Sequence, residues 1–254
     1  MASGTAANQH SKWRTPCHQC PLRSLSTFRD FSAKELEFVA QFKSGELSAE
    51  RGATILVEGM HSAHLFTLLS GWAFRYKLLP DGRRQIMNYV LPGDLVGLQG
   101  SLMEEMDHSV EALTPVTLCL FERSKLERLF ERHASLAYDV TWIAAHEERI
   151  LDEHLLSVGR RTALERTAYL LSFIHQRAHS VGLNGGARRV IPITQQHVAD
   201  TLGLSLVHTN KTLRKLADRK LMRWHDKGCE ILDEEGLLAL ADWEGLRDGM
   251  RPFI

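Results

Sequence analysis

The stretch Thr194–Arg219, TQQHVADTLGLSLVHTNKTLRKLADR, decides the fold of the C-terminal part of this 254-residue chain. Thr194 is placed to cap a first helix that ends at Gly203, and Ser205 is placed to cap a second. The small residue Ala199, four positions before Gly203, allows two helices to cross closely. Glycine adopts the left-handed backbone that a tight turn needs. The stretch therefore predicts a helix–turn–helix.

The second helix of such a motif lies in the major groove of DNA, with its N-terminal residues at the base edges. Lys211 can donate to guanine or to a phosphate, Asn210 can recognise adenine, and Val207 can contact a thymine methyl group. Arg214 and Lys215 are better placed for phosphates. The predicted DNA-binding residues are Thr194, Gln195, Ser205, Val207, His208, Asn210, Lys211, Arg214 and Lys215.

The charge of the chain is unevenly distributed. Its net charge is zero, from 31 basic and 31 acidic side chains, which by itself argues against a nucleic-acid partner. Residues 159–225, however, carry 12 basic and 3 acidic side chains, a local charge of +9. Because a local basic patch suffices to bind phosphates, this segment favours double-stranded DNA as a partner. The alternative is a solvated basic face.

Two short apolar segments, Leu221–Trp224 and Cys229–Leu232, follow the helix pair and flank the turn residues 226–228. Apolar segments separated by such a turn predict a β-hairpin. A hairpin directly after a helix–turn–helix is the wing of a winged helix, which strengthens the prediction of DNA binding.

Residues 45–121 have a different pattern, in which short apolar segments alternate with glycine-containing turns. Ser32 and Glu35 form a capping box for a helix just before this region, and Pro80-Asp81-Gly82 predicts a turn within it. Many short strands at roughly 10-residue spacing indicate a β-sandwich, roll or barrel. The predicted strands are 53–57, 65–69, 72–78, 85–90, 95–98, 110–113 and 116–121.

A long helix is predicted over residues 136–158, and another over residues 161–179. In the first, a 4-3-4-3 spacing of the kind that pairs helices between subunits predicts a dimer seam. Packing of this helix on its own domain is the alternative. The predicted seam is Leu136, Val140, Ile143, Glu147, Ile150 and His154.

The order of these elements resembles that of the Crp/Fnr family of bacterial transcription regulators over about residues 16–235. The segments that carry the resemblance are Gly52–Gly59, Leu68–Gly71, Leu91–Gly97 and the helix pair. It implies an α+β fold: an N-terminal cyclic-nucleotide-binding-like β-roll, a long dimerisation helix and a C-terminal winged helix–turn–helix. It also implies a homodimer on a two-fold DNA site, with RNA polymerase as a further partner.

The domain boundaries expected from this resemblance divide the chain into five parts. They are a cysteine-containing segment (1–27), the β-roll sensor domain (28–135), the dimerisation helix (136–158), the DNA-binding domain (159–233) and a tail (234–254).

The signal sensed by the β-roll is a separate question. Members of the family that bind cyclic nucleotides carry a Gly-Glu pair and an Arg-Ser pair. Here Gly97–Ser101 lacks the glutamate, and His108 stands where the arginine is expected. A buried phosphate without its arginine lacks a bidentate partner, so cyclic nucleotide is not the expected ligand. Arg83 and Arg84 lie beside a turn and are expected to be solvated.

The Fnr branch carries an N-terminal cysteine cluster and one cysteine on a late strand of the roll. Cys17 and Cys20 form a C-x-x-C here, and Cys119 lies on the matching strand, but Ser26 stands where a third N-terminal cysteine is expected. The resemblance therefore suggests an iron–sulfur cluster on Cys17, Cys20 and Cys119. Its fourth ligand would be a histidine such as His10 or His18, an aspartate or a small molecule.

Other interpretations of the cysteines remain open. They are a dithiol–disulfide switch at Cys17 and Cys20, a zinc site, or no cofactor at all. Haem is a further alternative, since some members of the family bind it. It is a minor one, because the histidines here are scattered along the chain. Cys229 is predicted to be a strand residue without a sensing role.

Two classes of function follow from the sequence. The first is a DNA-binding regulator that responds to oxygen or redox state through its cysteines, and the second is a regulator of the same fold that responds to a small molecule or haem. An enzyme is not expected, because no P-loop, nucleophile elbow, H-E-x-x-H or paired-carboxylate motif occurs. The absence of a long apolar segment and of a secretory signal predicts a cytoplasmic protein with no membrane partner.

Overall fold

The structure is a computed structural model that describes residues 15–183, 190–247 and 249–254, so the suggested ligand His10 lies outside it. No helix in these three ranges is long and apolar enough to cross a membrane.

The N-terminal elements are α1 (Ala33–Phe42), β1 (Lys43–Ala49), β2 (Thr54–Leu56), β3 (His64–Ser70), β4 (Ala73–Leu78), β5 (Arg84–Val90), β6 (Leu95–Val96), α2 (Leu98–Leu102), β7 (Ser109–Ala112), β8 (Val116–Glu122) and α3 (Leu126–Arg132). The C-terminal elements are α4 (Ala134–Arg160), α5 (Ala163–Ser180), β9 (Val190–Ile191), α6 (Gln195–Leu202), α7 (Leu206–Asp218), β10 (Met222–His225), β11 (Gly228–Ile231) and α8 (Glu234–Ala241).

The N-terminal strands form two antiparallel four-stranded sheets, in the orders β1-β8-β3-β6 and β2-β7-β4-β5. Their inner faces bury apolar side chains such as Phe74, Tyr89 and Leu118. All seven predicted strands are present. The capping box of Ser32 and Glu35 at the start of α1 is confirmed. Strand β1 was not predicted, because its sequence KSGELSA is polar and its residues are only partly buried or exposed.

The long helix α4 places much of the predicted dimer seam against its own chain. Leu136, Val140 and Ile150 are no more than 5% exposed and pack within their own chain. Ile143 is half-buried, and Glu147 accepts hydrogen bonds from roll side chains of β4 and β5. The predicted seam therefore faces the chain's own roll and α5. The apolar first half of the stripe is covered by the roll, and pairing of this stripe with a second chain stays a prediction.

A second stripe on α4 is exposed instead. It consists of Thr141, Ala144, Glu148, Leu151, Leu155 and Val158, which again follow the 3-4 spacing of a heptad. Leu155 is 73% exposed, and the neighbouring Leu156 is 51% exposed. These apolar side chains at the C-terminal half of α4 form the face that a second helix could cover. We call the six residues with the 3-4 spacing, from Thr141 to Val158, the outer stripe of α4.

The C-terminal domain has the predicted winged-helix order, with two additions. Strand β9 extends the predicted hairpin to a three-stranded sheet in the order β10-β11-β9. The predicted tail contains a helix, α8, whose N-terminus is capped by Asp233 and which packs on α5 through buried Leu237 and Ala241. The DNA-binding domain therefore extends past its predicted end at residue 233.

The last six residues, 249–254, return to the β-roll, and we call them the C-terminal clasp. The Arg251 amide donates to Thr27 O (2.8 Å), and the Arg29 amide donates to Arg251 O (3.0 Å). Phe253 is 4% exposed and packs on Phe28 with 4.8 Å between ring centroids. The clasp thus ties the end of the DNA-binding domain to the sensor roll.

Asp94, in the loop between β5 and β6, is the polar centre of this arrangement. Its buried carboxylate accepts hydrogen bonds from Arg177 of α5 (2.5 Å), from Arg251 of the clasp (2.7 Å) and from the Leu91 amide (2.7 Å). Burial alone would raise the pKa of Asp94, but the charges of Arg177 and Arg251 lower it to about 2. One carboxylate therefore joins the roll, the DNA-binding domain and the clasp.

Substituting Asp94→Asn tests this centre. The amide keeps the volume of the side chain but removes the charge, which leaves buried Arg177 without its ion pair. We expect a loss of about 3–5 kcal/mol in the free energy of unfolding, as when one partner of a buried pair is removed. Urea denaturation of both proteins measures it. Asp81→Asn is the matched control, because Asp81 and its partner Arg83 are exposed, and we expect little change there.

Wild type and Asp94→Asn are also expected to differ in how their stability depends on pH. The pKa of Asp94 is lower in the folded state than the value of about 3.9 expected in the unfolded chain. Its contribution to the free energy of unfolding is therefore present above about pH 4 and is lost as the pH falls towards about 2. We expect wild type to lose more stability than Asp94→Asn over that interval. Parallel acid curves would contradict the assigned role of the carboxylate.

Candidate nucleic-acid interface and cysteine site

The predicted helix–turn–helix is confirmed in detail. The Thr194 hydroxyl accepts from the His197 amide (3.2 Å), and the His197 ring accepts from the Thr194 amide (3.1 Å), so His197 completes a capping box. Gly203 ends α6 with φ of +61°, and Ser205 caps α7 by accepting from the His208 amide (3.2 Å). These caps position α6 and α7 as the sequence predicted.

Helix α7 is strongly amphipathic. Its inner face buries Thr209, Thr212, Leu213 and Leu216 against the rest of the domain. Its outer face is open to solvent, so cationic and amide groups are free to meet a ligand. The exposed predicted residues are Ser205, Val207, His208, Asn210, Lys211, Arg214 and Lys215. Of the two predicted residues on the α6 side, Thr194 is exposed and Gln195 is half-buried.

Helix α6 rests on strand β5 of the roll. The Gln85 amide donates to Thr201 O (2.8 Å). The Thr201 hydroxyl donates its proton to His197 O, so the Tyr89 hydroxyl must be the donor in its 3.0 Å bond to Thr201. These contacts join the first helix of the motif to the sensor roll and leave α7 uncovered.

Arg84 corrects an expectation from the sequence. It was expected to be solvated, but its Nε donates to Asp200 of α6 (2.8 Å). Its guanidinium also lies over the rings of Phe74 (5.0 Å) and Tyr76 (5.6 Å). Arg84 is therefore a contact between the roll and α6. Its neighbour Arg83 is exposed as expected.

Comparison with known proteins identifies the family. Residues 46–133 match the cyclic nucleotide-binding domain, and residues 165–240 match the Crp-like helix–turn–helix domain. The chain is 31% identical to the nitrogen fixation regulation protein FixK of Bradyrhizobium diazoefficiens, over 89% of this chain and 93% of the relative. The chain belongs to the Crp/Fnr family of transcription regulators. It is thus a DNA-binding regulator, as its helix–turn–helix indicated.

Two further similarities support the membership in the Crp/Fnr family. The transcriptional activatory protein AadR of Rhodopseudomonas palustris is 33% identical over 70% of this chain and 73% of the relative. The solved structure of FixK2 from Bradyrhizobium japonicum matches with a TM-score of 0.68 and 26% identity, over 80% of this chain and 98% of that one. The fold predicted for a Crp/Fnr regulator, from β-roll to winged helix, is confirmed.

In this Crp/Fnr regulator, His108 occupies the position at which the phosphate-binding arginine of a nucleotide site is expected. Burial, together with the charges of Arg75 and Lys77, lowers the pKa of His108 to about 4, so the ring is neutral near pH 7. Arg75 is paired with Glu147 and Lys77 with Glu58. Both cations that act on His108 are therefore already paired within the protein.

The three candidate cysteines come together although Cys119 is about a hundred residues away from Cys17 and Cys20 in sequence. Cys17, Cys20 and Cys119 line one cavity of about 30 Å³ between the N-terminal segment and β8. Lys43, which forms an ion pair with Glu46 (2.6 Å), lines the same cavity. Phe253 and Ile254 of the clasp also line it, together with Leu22, Arg23, Phe31, Val39, Thr67, Leu69 and Phe121. We call this site the cysteine cavity.

Burial in the cavity favours the thiol form of its cysteines. Burial raises the pKa of Cys17 and Cys20, and raises that of Cys119 to about 11, while the Lys43 charge partly opposes this effect. Cys17 and Cys20 are half-buried and Cys119 is buried, so formation of the thiolate, which is the reactive and metal-binding form, is most disfavoured at Cys119. Cys229, in β11, is buried in a separate place in the wing, consistent with a structural role.

The residues present do not fit an iron–sulfur cluster in this arrangement. A cavity of about 30 Å³ holds one or two water molecules and not a four-iron core. Within the described residues, no group of three or more His, Cys, Asp or Glu side chains could hold a metal. The suggested ligand His18 and the substituting Ser26 are both exposed. As arranged, the three thiols share a cavity too small for a cluster, and the cluster itself stays a prediction.

Metal analysis tests this conclusion. We expect the protein purified without oxygen to carry less than one tenth of an iron or zinc atom per chain, roughly the level of nonspecific binding. Elemental analysis with an acid-labile sulfide assay measures it, and Cys17→Ser is the matched control. Stoichiometric iron and sulfide in wild type, lost in the variant, would show that the cavity opens to hold a cluster.

Proposed function

We propose that this regulator binds a two-fold DNA site as a homodimer, with one α7 helix in the major groove of each half-site. The observation that carries the proposal is the open outer face of α7, which presents Asn210, Lys211 and Arg214 to solvent. Its first turn is free, as base-edge contacts require. The surrounding segment of charge +9 supplies attraction to phosphates.

Within α7 we assign two kinds of contact. Val207, Asn210 and Lys211 lie in the N-terminal half and are assigned to base edges, with Val207 restricted to apolar contact. Arg214 and Lys215 lie a turn later and are assigned to the backbone phosphates. The capping residues Thr194 and Ser205 hold the helix ends, and they stand where hydroxyl groups reach phosphates.

Two substitutions separate these roles. Lys211→Ala is expected to weaken binding to the specific site by about 1–3 kcal/mol, with little effect on unrelated DNA. Arg214→Ala is expected to weaken binding to all sequences and to reduce the salt dependence by about one phosphate contact. Fluorescence anisotropy with a selected site and a scrambled duplex, at several salt concentrations, measures both effects. Wild-type binding by both variants would show that α7 is not the recognition helix.

The homodimer is assigned to the outer stripe of α4. Its heptad spacing and its exposed leucines, Leu151 and Leu155, suit a parallel helix from a second copy. The opposite stripe is already buried by the chain's own roll. Two copies joined along α4 would place two α7 helices on one side, as a two-fold DNA site requires.

Leu155→Glu tests this assignment. A glutamate in a helix seam loses apolar contact and places like charges opposite each other, so we expect a monomer at micromolar concentration. Leu102→Glu is the matched control, because Leu102 is 61% exposed on α2, away from α4. Sedimentation velocity distinguishes the states. The assignment fails if Leu155→Glu stays dimeric, or if the control dissociates equally.

The proposed signal is the state of the cysteine cavity and not a cyclic nucleotide. Neutral His108 and the paired cations near it argue against a phosphate ligand. Three thiols in one cavity, by contrast, give the roll a redox-responsive group. RNA polymerase is the further partner proposed for the DNA-bound dimer in the cytoplasm.

A further inference from the structure

A cavity of about 240 Å³ lies between the sensor roll and the DNA-binding domain, separate from the cysteine cavity. Its walls come from β5, the C-terminal half of α4, α5 and α6, and they include the apolar side chains of Ile86, Leu170 and Leu202. None of the lining residues in the part of the chain that the structure describes is Asp, Glu, Lys or Arg. The cavity is therefore mostly apolar and presents no acidic or strongly basic group.

Two polar side chains in the α4 wall have atoms that are not paired. His154 Nε2 and Ser157 Oγ are buried and have no hydrogen-bond partner among the described residues. The other ring nitrogen of His154, Nδ1, is bonded to the Tyr169 hydroxyl (2.8 Å). Burial, with the charges of Arg177 and Arg75, lowers the pKa of His154 to about 3, so the ring is neutral at pH 7. Buried polar atoms are usually paired, so these two point to a ligand in the cavity that they line.

We propose that this cavity binds a small uncharged molecule that is mostly apolar and carries one hydroxyl group, placed at His154 and Ser157. The apolar walls suit the hydrocarbon part of such a ligand, whereas an ionised ligand would meet no opposite charge among the described wall residues. A hydroxyl group both donates and accepts, so it pairs with either tautomer of the neutral ring and with the serine hydroxyl. The inference goes beyond the proposed function and depends neither on the DNA contacts of α7 nor on the thiols.

The volume of the cavity sets the size of this ligand. A cavity of about 150 Å³ holds benzene, which has six non-hydrogen atoms, so about 240 Å³ suits roughly ten, or two fused rings. A cyclic nucleotide is larger and charged. Neither His108 nor any residue of Gly97–Ser101 lines the cavity, so it is also separate from the position at which cyclic nucleotides are held in this family.

One side of the cavity belongs to the outer stripe of α4. Leu151, Leu155 and Val158 line the cavity and also lie on the proposed dimer face. A leucine from a second copy is therefore the competing occupant. It would leave both His154 Nε2 and Ser157 Oγ unpaired, which costs free energy, whereas a ligand with a hydroxyl group pairs them. The two polar atoms thus favour the small molecule over the second copy.

The test uses 2-naphthol as the probe and naphthalene as the matched compound that lacks the hydroxyl group. Equilibrium dialysis against the full-length protein measures both dissociation constants. We expect wild type to bind 2-naphthol about threefold to tenfold more tightly than naphthalene, which is the difference that one hydrogen bond makes.

Ser157→Ala removes the hydroxyl group of the wall, and Ser172→Ala is the matched control. Ser172 is also a buried helical serine whose Oγ has no partner within the described residues, but it does not line the cavity. We expect Ser157→Ala to weaken 2-naphthol binding about threefold to tenfold and to leave naphthalene binding unchanged, while Ser172→Ala binds both as wild type does. Ser157→Leu, which fills part of the cavity, should weaken both ligands at least about tenfold. Thermal unfolding checks that each variant is folded.

Three outcomes overturn the proposal. They are no saturable binding of 2-naphthol to wild type, equal affinity of wild type and Ser157→Ala for 2-naphthol, and binding to the monomer alone. The last would show that a second copy fills the cavity, and it is recognised by repeating the dialysis above and below the protein concentration at which sedimentation velocity shows dissociation. The DNA affinities of the α7 variants decide the proposed function separately, because no residue of α7 lines this cavity.

Discussion

A single buried carboxylate, that of Asp94, holds together three parts of the chain that are distant in sequence. Arg177 lies 83 residues after it and Arg251 157 residues after it. A buried carboxylate is tolerated only when cations and hydrogen-bond donors surround it, so its position fixes those of both arginines. Gly93 next to it, with φ of +88°, lets the Phe28 ring approach the turn. The roll, the winged helix and the clasp depend on this one charge.

The second contact between the units is of a different kind. Helix α6 rests on β5 through Arg84, Gln85 and Tyr89, while α7 faces away from the roll. The helix that supports the recognition helix is thus held by the sensor, and the recognition helix itself is free. A movement of β5 that broke these bonds would remove contacts that hold α6, the helix that supports α7.

The local features of the DNA-binding motif could be predicted from the sequence because they depend on neighbouring residues. The caps at Thr194 and Ser205 and the turn at Gly203 were all confirmed. The predicted contacts failed where distant parts of the chain decide them. Arg84 was expected in solvent because Asp200, its partner, is 116 residues away. Neither the clasp nor the strand β9 had a local pattern that could reveal it.

The two stripes of α4 show what a heptad pattern can and cannot establish. The helix carries two stripes of similar spacing, and spacing alone does not say which one a partner covers. The inner stripe includes Glu147, bonded to Arg75 of the roll, and His154, bonded to Tyr169 of α5 (2.8 Å). Because both stripes belong to one helix, a rotation that changes the inner contacts must change the outer stripe. The contacts with the sensor and the proposed dimer face therefore lie on opposite sides of one helix.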